Sequence, residues 1–161
     1  MGQSTNAILA YGYDLGGGDD GWKIHQAGEY GELPELDWYD AENEEGDDLM
    51  SAGERRLRAE IAGFTEQWHS GNEGYFDRER DADASVGVKI ESYCSGEYPM
   101  WLLATKIITV YRGDCKTIDM AELAEAPHIQ GWDARLAAAS QALGITPTQD
   151  RPRWLVFPFY G

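Results

Sequence analysis

Cationic side chains are scarce in this chain. Thirteen Lys and Arg stand against 29 Asp and Glu, a formal net charge of −16 over 161 residues. Nucleic-acid binders need Lys and Arg against the phosphates, so this balance argues against a direct nucleic-acid partner. It argues equally against an anionic membrane surface. Cysteine is scarce too. Cys94 and Cys115 lie on either side of a strand expected over 101–112. A hairpin with Cys94 near its turn leaves Cys115 at the far end, and such a strand reaches about 40 Å. Bridged Cα atoms lie within about 7 Å, so both cysteines read as free thiols suited to a reducing cytoplasm. There is no apolar run long enough to span a bilayer and no signal-peptide pattern at the N-terminus, and a cytoplasmic protein is expected.

Metal and catalytic spacings are also missing. His25, His69 and His128 stand alone, with no His-x-x-x-His and no Cys-x-x-Cys. Cys94 reads as a small strand-end hydrophobe, not a nucleophile. Asp14, Asp19 and Asp20 flank a glycine run, and Glu44, Glu45, Asp47 and Asp48 surround Gly46. Neither set has the ligand spacing of a helix–loop–helix calcium site. The run Gly16-Gly17-Gly18-Asp19-Asp20-Gly21 lacks the Lys-Ser/Thr of a phosphate loop, and its aspartates would repel phosphate. No catalytic residue, metal ligand or cofactor site is assigned, and the chain is expected not to be an enzyme. A small metal-assisted or acid–base enzyme stays as an alternative, because chance pairs some carboxylates in so acidic a chain.

What is present argues for a packed globule. Hydrophobic residues make up 42%, with six Trp, and the length suits a single domain over 1–161. Residues 5–14 read as a strand with Ala7, Leu9, Tyr11 and Tyr13 on one face and Ile8, Ala10 and Gly12 on the other. Ser51 and Glu54 form a capping box, and Leu57, Ile61, Phe64 and Trp68 continue it as one helical stripe to Gly71. Residues 85–94 alternate, with Val86, Val88 and Ile90 inward. Residues 101–112 are apolar on both faces, as a central strand should be. Asp119 and Glu122 open a short helix that Pro127 ends. Trp132, Leu136, Ala139 and Leu143 mark another over 131–143, stopped by Gly144. Residues 153–159 form a last strand, with Pro158 fitting only an edge.

The order β, α, β, β, α, β predicts a ferredoxin-like α+β fold. Its antiparallel four-stranded sheet would carry two helices on one face, with the second and fourth strands at the edges. The open face would expose Tyr93, Trp101 and Tyr111, so a cover is expected from the insertion at 15–50 or from a second subunit in a homodimer. Aromatic stacking of RNA by Tyr11, Tyr13, Trp101 and Tyr111 is disfavoured by charge and by the absence of a basic-Gly-aromatic signature.

The connection 15–50 is far longer than the usual ~4–6 residues. Its part over 29–48 carries ten carboxylates and no Lys or Arg. Charges recur at a spacing comparable to phosphates along a DNA strand. Three readings compete: a solvated loop that keeps the protein soluble, a face that engages a basic protein surface, and within that a nucleic-acid mimic or inhibitor. The partner-binding residues on the second reading are Glu35, Asp37, Trp38, Tyr39, Asp40, Glu42, Glu44, Glu45, Asp47 and Asp48. Trp38 and Tyr39 would serve as apolar anchors in the acidic field. A self-associating structural or accessory protein is the other non-catalytic alternative.

The opening Met1-Gly2-Gln3-Ser4-Thr5-Asn6-Ala7-Ile8-Leu9-Ala10-Tyr11-Gly12-Tyr13-Asp14-Leu15 resembles the start of small uncharacterised bacteriophage proteins. These share Met-Gly, a Ser/Thr pair and a short apolar strand ending in Tyr-Gly. The resemblance implies a small phage protein acting on a host or phage component, and it carries over no functional residue.

Overall fold

The computed structural model describes residues 5–43 and 45–160. Strand β1 covers Thr5–Gly16, and a single 3₁₀ turn follows at Gly18–Asp20. Helices α1 (Leu49–Ala62) and α2 (Tyr75–Val86) precede strands β2 (Lys89–Ser95) and β3 (Pro99–Tyr111). Helices α3 (Met120–Ile129) and α4 (Trp132–Leu143) lead to strand β4 (Arg153–Tyr160). Among the described residues no helix is long and apolar enough to cross a membrane.

The ferredoxin-like expectation is overturned twice. The first difference is four α-helices among the described residues, where the ferredoxin-like pattern has two and the sequence marked one further short helix before Pro127. The stripe from Leu57 to Trp68 is not one helix, because Gly63 takes a left-handed conformation (φ 65°) and ends α1. The Phe64 amide then reaches back to the Arg58 carbonyl, as in a helix C-cap. Leu57 is buried while Trp68 is 60% exposed. At the other end the cap is Asp48, not Ser51, and its Oδ1 accepts from the Ser51 amide at 2.8 Å. Helix α2 lies where the sequence marked no element, and its end overlaps the strand expected from residue 85. It buries only Tyr75, Ala82 and Val86, too few apolar residues to show a stripe. Arg58 holds it to α1 through Glu79 at 3.4 Å and Asp83 at 3.0 Å, with the arginine side chain 14% exposed. Val86, Val88 and Ile90 all point inward, yet Val86 belongs to α2, which Gly87 terminates. Pro127 lies within α3, and the helix runs on to Ile129.

The second difference is the sheet. β1 pairs antiparallel with β3 and β4, and β2 pairs antiparallel with β3. The ends of β2 and β4 then pair in parallel, Cys94 with Phe159 and Ser95 with Tyr160. The sheet closes in the order β1-β3-β2-β4, so it is mixed, and β2 and β4 are not edges along their whole length. Two irregularities in the β1–β3 ladder supply the bend: Thr105 of β3 is the extra residue opposite Tyr11 and Gly12, and Leu15 of β1 is the extra residue between Asp14 and Gly16. Gly12 is required there: a Cβ would lie 1.9 Å from the Leu103 carbonyl oxygen. Cys94 adopts φ 73°, a conformation costly for a side chain other than glycine, where β2 leaves β3 for β4.

Closure makes two cores. Ile8, Ala10, Tyr93, Met100, Leu102, Ala104 and Phe157 fill the inside of the curled sheet, with Tyr93 and Phe157 rings 4.3 Å apart. The face expected to need a cover is therefore filled by its own side chains. Trp101 lies instead with the helix-side core, and Tyr111 is exposed. That second core joins Leu57, Val88, Leu103, Leu136 and Leu143 around Tyr11. Tyr11 meets the rings of Trp132 and Trp154 at 5.6 and 5.4 Å, and its hydroxyl donates to Asp133 Oδ1 at 2.7 Å.

The buried phenols of Tyr11 and Tyr93 resist ionisation. Burial, followed by the hydrogen bond to Asp133 and its charge, pushes Tyr11 up to about 12. Burial and then the bond to Asp14 raise Tyr93 well above an ordinary phenol. A group whose folded pKa is raised contributes fully below its unfolded value, near ~10, and loses that contribution as pH climbs through the folded value. Stability measured by urea unfolding should therefore fall between about pH 10 and 12. Tyr11→Phe should be flatter across that window, although less stable at neutral pH by about 1 kcal/mol for the lost hydrogen bond. An unchanged alkaline slope would contradict the buried geometry.

Candidate partner-binding surface

The acidic insertion is pinned to the molecule before its charges begin. Ile24 is buried and pairs with Pro147 in an isolated bridge, while the His25 amide donates to the Thr146 carbonyl at 2.8 Å. The Trp22 amide donates to the Gly31 carbonyl at 2.7 Å, folding residues 22–31 into a compact turn. Lys23 reaches Asp14 Oδ2 at 2.6 Å, and Asp14 Oδ1 accepts from the Tyr93 hydroxyl at 2.5 Å. One carboxylate thus ties the insertion to both β1 and β2. Further on, Leu36 and Trp38 pack against the helix-side core, and Trp38 Nε1 donates to the Leu143 carbonyl at 2.9 Å. Its acceptor is a carbonyl in the last turn of α4, which has no intrahelical partner of its own.

From that anchor the carboxylates face outward. Glu29, Glu32, Glu35, Asp37, Asp40, Glu42, Glu45, Asp47 and Asp48 are all exposed. Glu44 lies outside the described residues. Asp37 pairs with Arg56 at 3.2 Å, and Asp47 pairs with Arg55. Asp48 caps α1, Glu32 accepts from the Tyr30 amide and Asp40 from the Glu42 amide. Among the described residues Glu29, Glu35, Asp40, Glu42 and Glu45 make no ion pair with any cation. The two expected anchors behave differently from their neighbours. Trp38 and Tyr39 are half-buried and stand 6.1 Å apart, and the Trp38 indole holds the segment in place through its own N–H.

An open groove of about 830 Å³ runs beside this segment. Asp37, Trp38 and Asp47 line it together with Arg55, Arg56 and Arg58 of α1 and with Phe64, Trp68 and Tyr75. Phe64 and Trp68 follow the turn out of helix at Gly63. Sequence reasoning missed this part of the lining, although Gly63 was the available signal. Glu66, also in the lining, is held below the usual carboxylate range by its two bonds from Arg78, at 2.8 and 2.7 Å. On α1, burial raises the Glu54 carboxyl, and Asp83 adds to the effect. Cys94 and Cys115 are free. Among the described residues no three His, Cys, Asp or Glu side chains are grouped to hold a metal ion.

No family model matches the chain, and comparison with curated proteins and with solved structures finds no significant match. The functional reading therefore rests on this surface alone.

Replacing Trp38 by Phe keeps most of the packing and removes the bond to Leu143. The expected cost is about 1 kcal/mol in urea unfolding. Faster proteolytic cleavage between residues 25 and 48 should accompany it. Unchanged cleavage would mean the indole bond does not hold the segment.

Proposed function

We propose that this chain is a non-enzymatic, cytoplasmic binding protein that engages a basic protein surface through residues 29–48. The observation that carries this reading is the set of Glu29, Glu35, Asp40, Glu42 and Glu45. They are exposed carboxylates, without an ion pair among the described residues, on a segment tied down by Ile24 and Trp38. A pinned segment has already lost much of the conformational freedom that a loose tail must give up on binding. Its charges then act as a fixed field, which speeds encounter with a cationic surface and selects against acidic ones. Asp37 and Asp47 contribute less, because Arg56 and Arg55 already offset them. The resemblance of the first fifteen residues to small bacteriophage proteins fits a protein of this kind acting on a host or phage component.

The test compares two sets of neutralising substitutions of equal charge. One carries Glu35→Gln, Asp40→Asn, Glu42→Gln and Glu45→Gln. The other carries Glu97→Gln, Asp114→Asn, Glu122→Gln and Glu125→Gln, which are exposed but lie elsewhere. Binding to an immobilised arginine-rich peptide is measured at low and high salt. The first set should weaken binding about tenfold or more at low salt. The second should change it little, and high salt should remove the difference. Equal losses from both sets would show that net charge alone is responsible and that 29–48 is no interface.

A further inference from the structure

Strand β3 is longer than its partner on one edge. β2 covers it only from Pro99 to Ala104, whereas β1 covers the other edge from Trp101 to Tyr111. Thr105 through Tyr111 therefore keep one edge with no ladder partner among the described residues. In line with β2, where a longer strand would have lain, the chain forms the end of α2 and the Gly87 turn. A groove of about 460 Å³ opens there, lined among others by Gly87, Lys89, Thr105, Lys106 and Ile107. At Gly87, Thr105 and Lys106 it continues into a second groove of about 290 Å³ beside Glu122 and Arg135.

The charge of this place is opposite to that of the molecule. The two grooves are lined by the cations Arg80, Lys89, Lys106 and Arg135 and by the carboxylates Asp83 and Glu122. Arg58 already neutralises Asp83 at 3.0 Å, and Arg80 pairs with Asp77. Lys89, Lys106 and Arg135 make no ion pair among the described residues. Arg135 lays its guanidinium over Gly87, against the C-terminus of α2, where a cation is favoured. At physiological ionic strength fields fade over about 8 Å, so these local cations outweigh the distant acidic segment.

We propose that this edge receives an extended acidic polypeptide segment, added as a strand beside Thr105–Tyr111 with its carboxylates toward Lys89, Lys106 and Arg135. The free edge offers alternating backbone donors and acceptors, which only another polypeptide backbone can match. The groove beside Thr105–Ile107 leaves room there for the side chains of an added strand. The cations select acidic ones. A second copy of this chain is a poor occupant: it brings a net charge of −16 against −16, and its own β3 edge brings another Lys106. This surface is separate from residues 29–48 and of opposite sign.

The probe is a fluorescein-labelled, acetylated peptide of alternating Glu and Val, as long as the free edge, followed by anisotropy near 150 mM salt. It should bind the native protein. Lys89→Glu with Lys106→Glu should weaken it about tenfold or more, with unchanged far-ultraviolet dichroism. The same peptide N-methylated at alternate backbone amides should lose binding, as should its Lys-for-Glu counterpart. No binding would overturn the proposal. So would equal affinity for the N-methylated peptide, or full displacement by millimolar inorganic phosphate, which would assign the groove to a free anion. A concentration-dependent dimer that Lys106→Glu alters, with no peptide bound, would give the edge to a second copy and overturn it too.

Discussion

The parallel contact between the ends of β2 and β4 governs how the rest of the chain is arranged. A four-stranded sheet with helices on one side leaves its other side wet, and here that side would present Tyr93, Met100, Leu102 and Phe157. Bringing Cys94 beside Phe159 and Ser95 beside Tyr160 rolls those side chains into a core of their own. The bends that allow it are local and identifiable: the shifts in the β1–β3 ladder, the bare Cα of Gly12, and the positive φ of Cys94. Bulges are a usual means of curving a sheet toward closure.

Two consequences reach the surface. With its inner face filled, the sheet needs no cover from the insertion, which lies instead across the end of α4 and turns its carboxylates to solvent. β2 is only seven residues long while β3 has thirteen, so the second half of β3, paired with β1 on one edge, has no ladder partner among the described residues on the other, beside a cluster of Lys and Arg. The described residues therefore carry an acidic face held by Ile24 and Trp38 and, elsewhere, a basic strand edge left by the short β2.

Strong periodicity and strong stops were legible in the sequence. The spacing of Trp132, Leu136, Ala139 and Leu143 marked α4, and Gly144 ended it, because a single buried stripe decides that helix. The strand over 153–159 matched β4 closely. What escaped was what depends on polar or long-range terms. Helix α2 is held largely by Arg58 reaching Glu79 and Asp83, contacts no hydrophobic pattern reveals. The stripe at Leu57–Trp68 misled because Gly63 outweighs apolar spacing once Phe64 can cap back to Arg58. Sheet closure rests on Gly12, on the conformation of one cysteine and on ladder register, and only the glycine is written in residue type. For the surface, the exposure of the described carboxylates over 29–48 was readable from charge alone. The inward use of Trp38 was not, because it depends on a carbonyl far along the chain.

Amide hydrogen exchange at Gly96 tests closure most directly. Its N–H donates to the Tyr160 carbonyl at 3.2 Å, a bond that exists only if β2 and β4 meet. This amide should exchange as slowly as those of β1 at Ile8 and Ala10, and should accelerate together with them under denaturant. Exchange at Gly96 near the rate of an unstructured amide, with β1 still protected, would mean the sheet is open, and the arrangement described for both surfaces would fall with it.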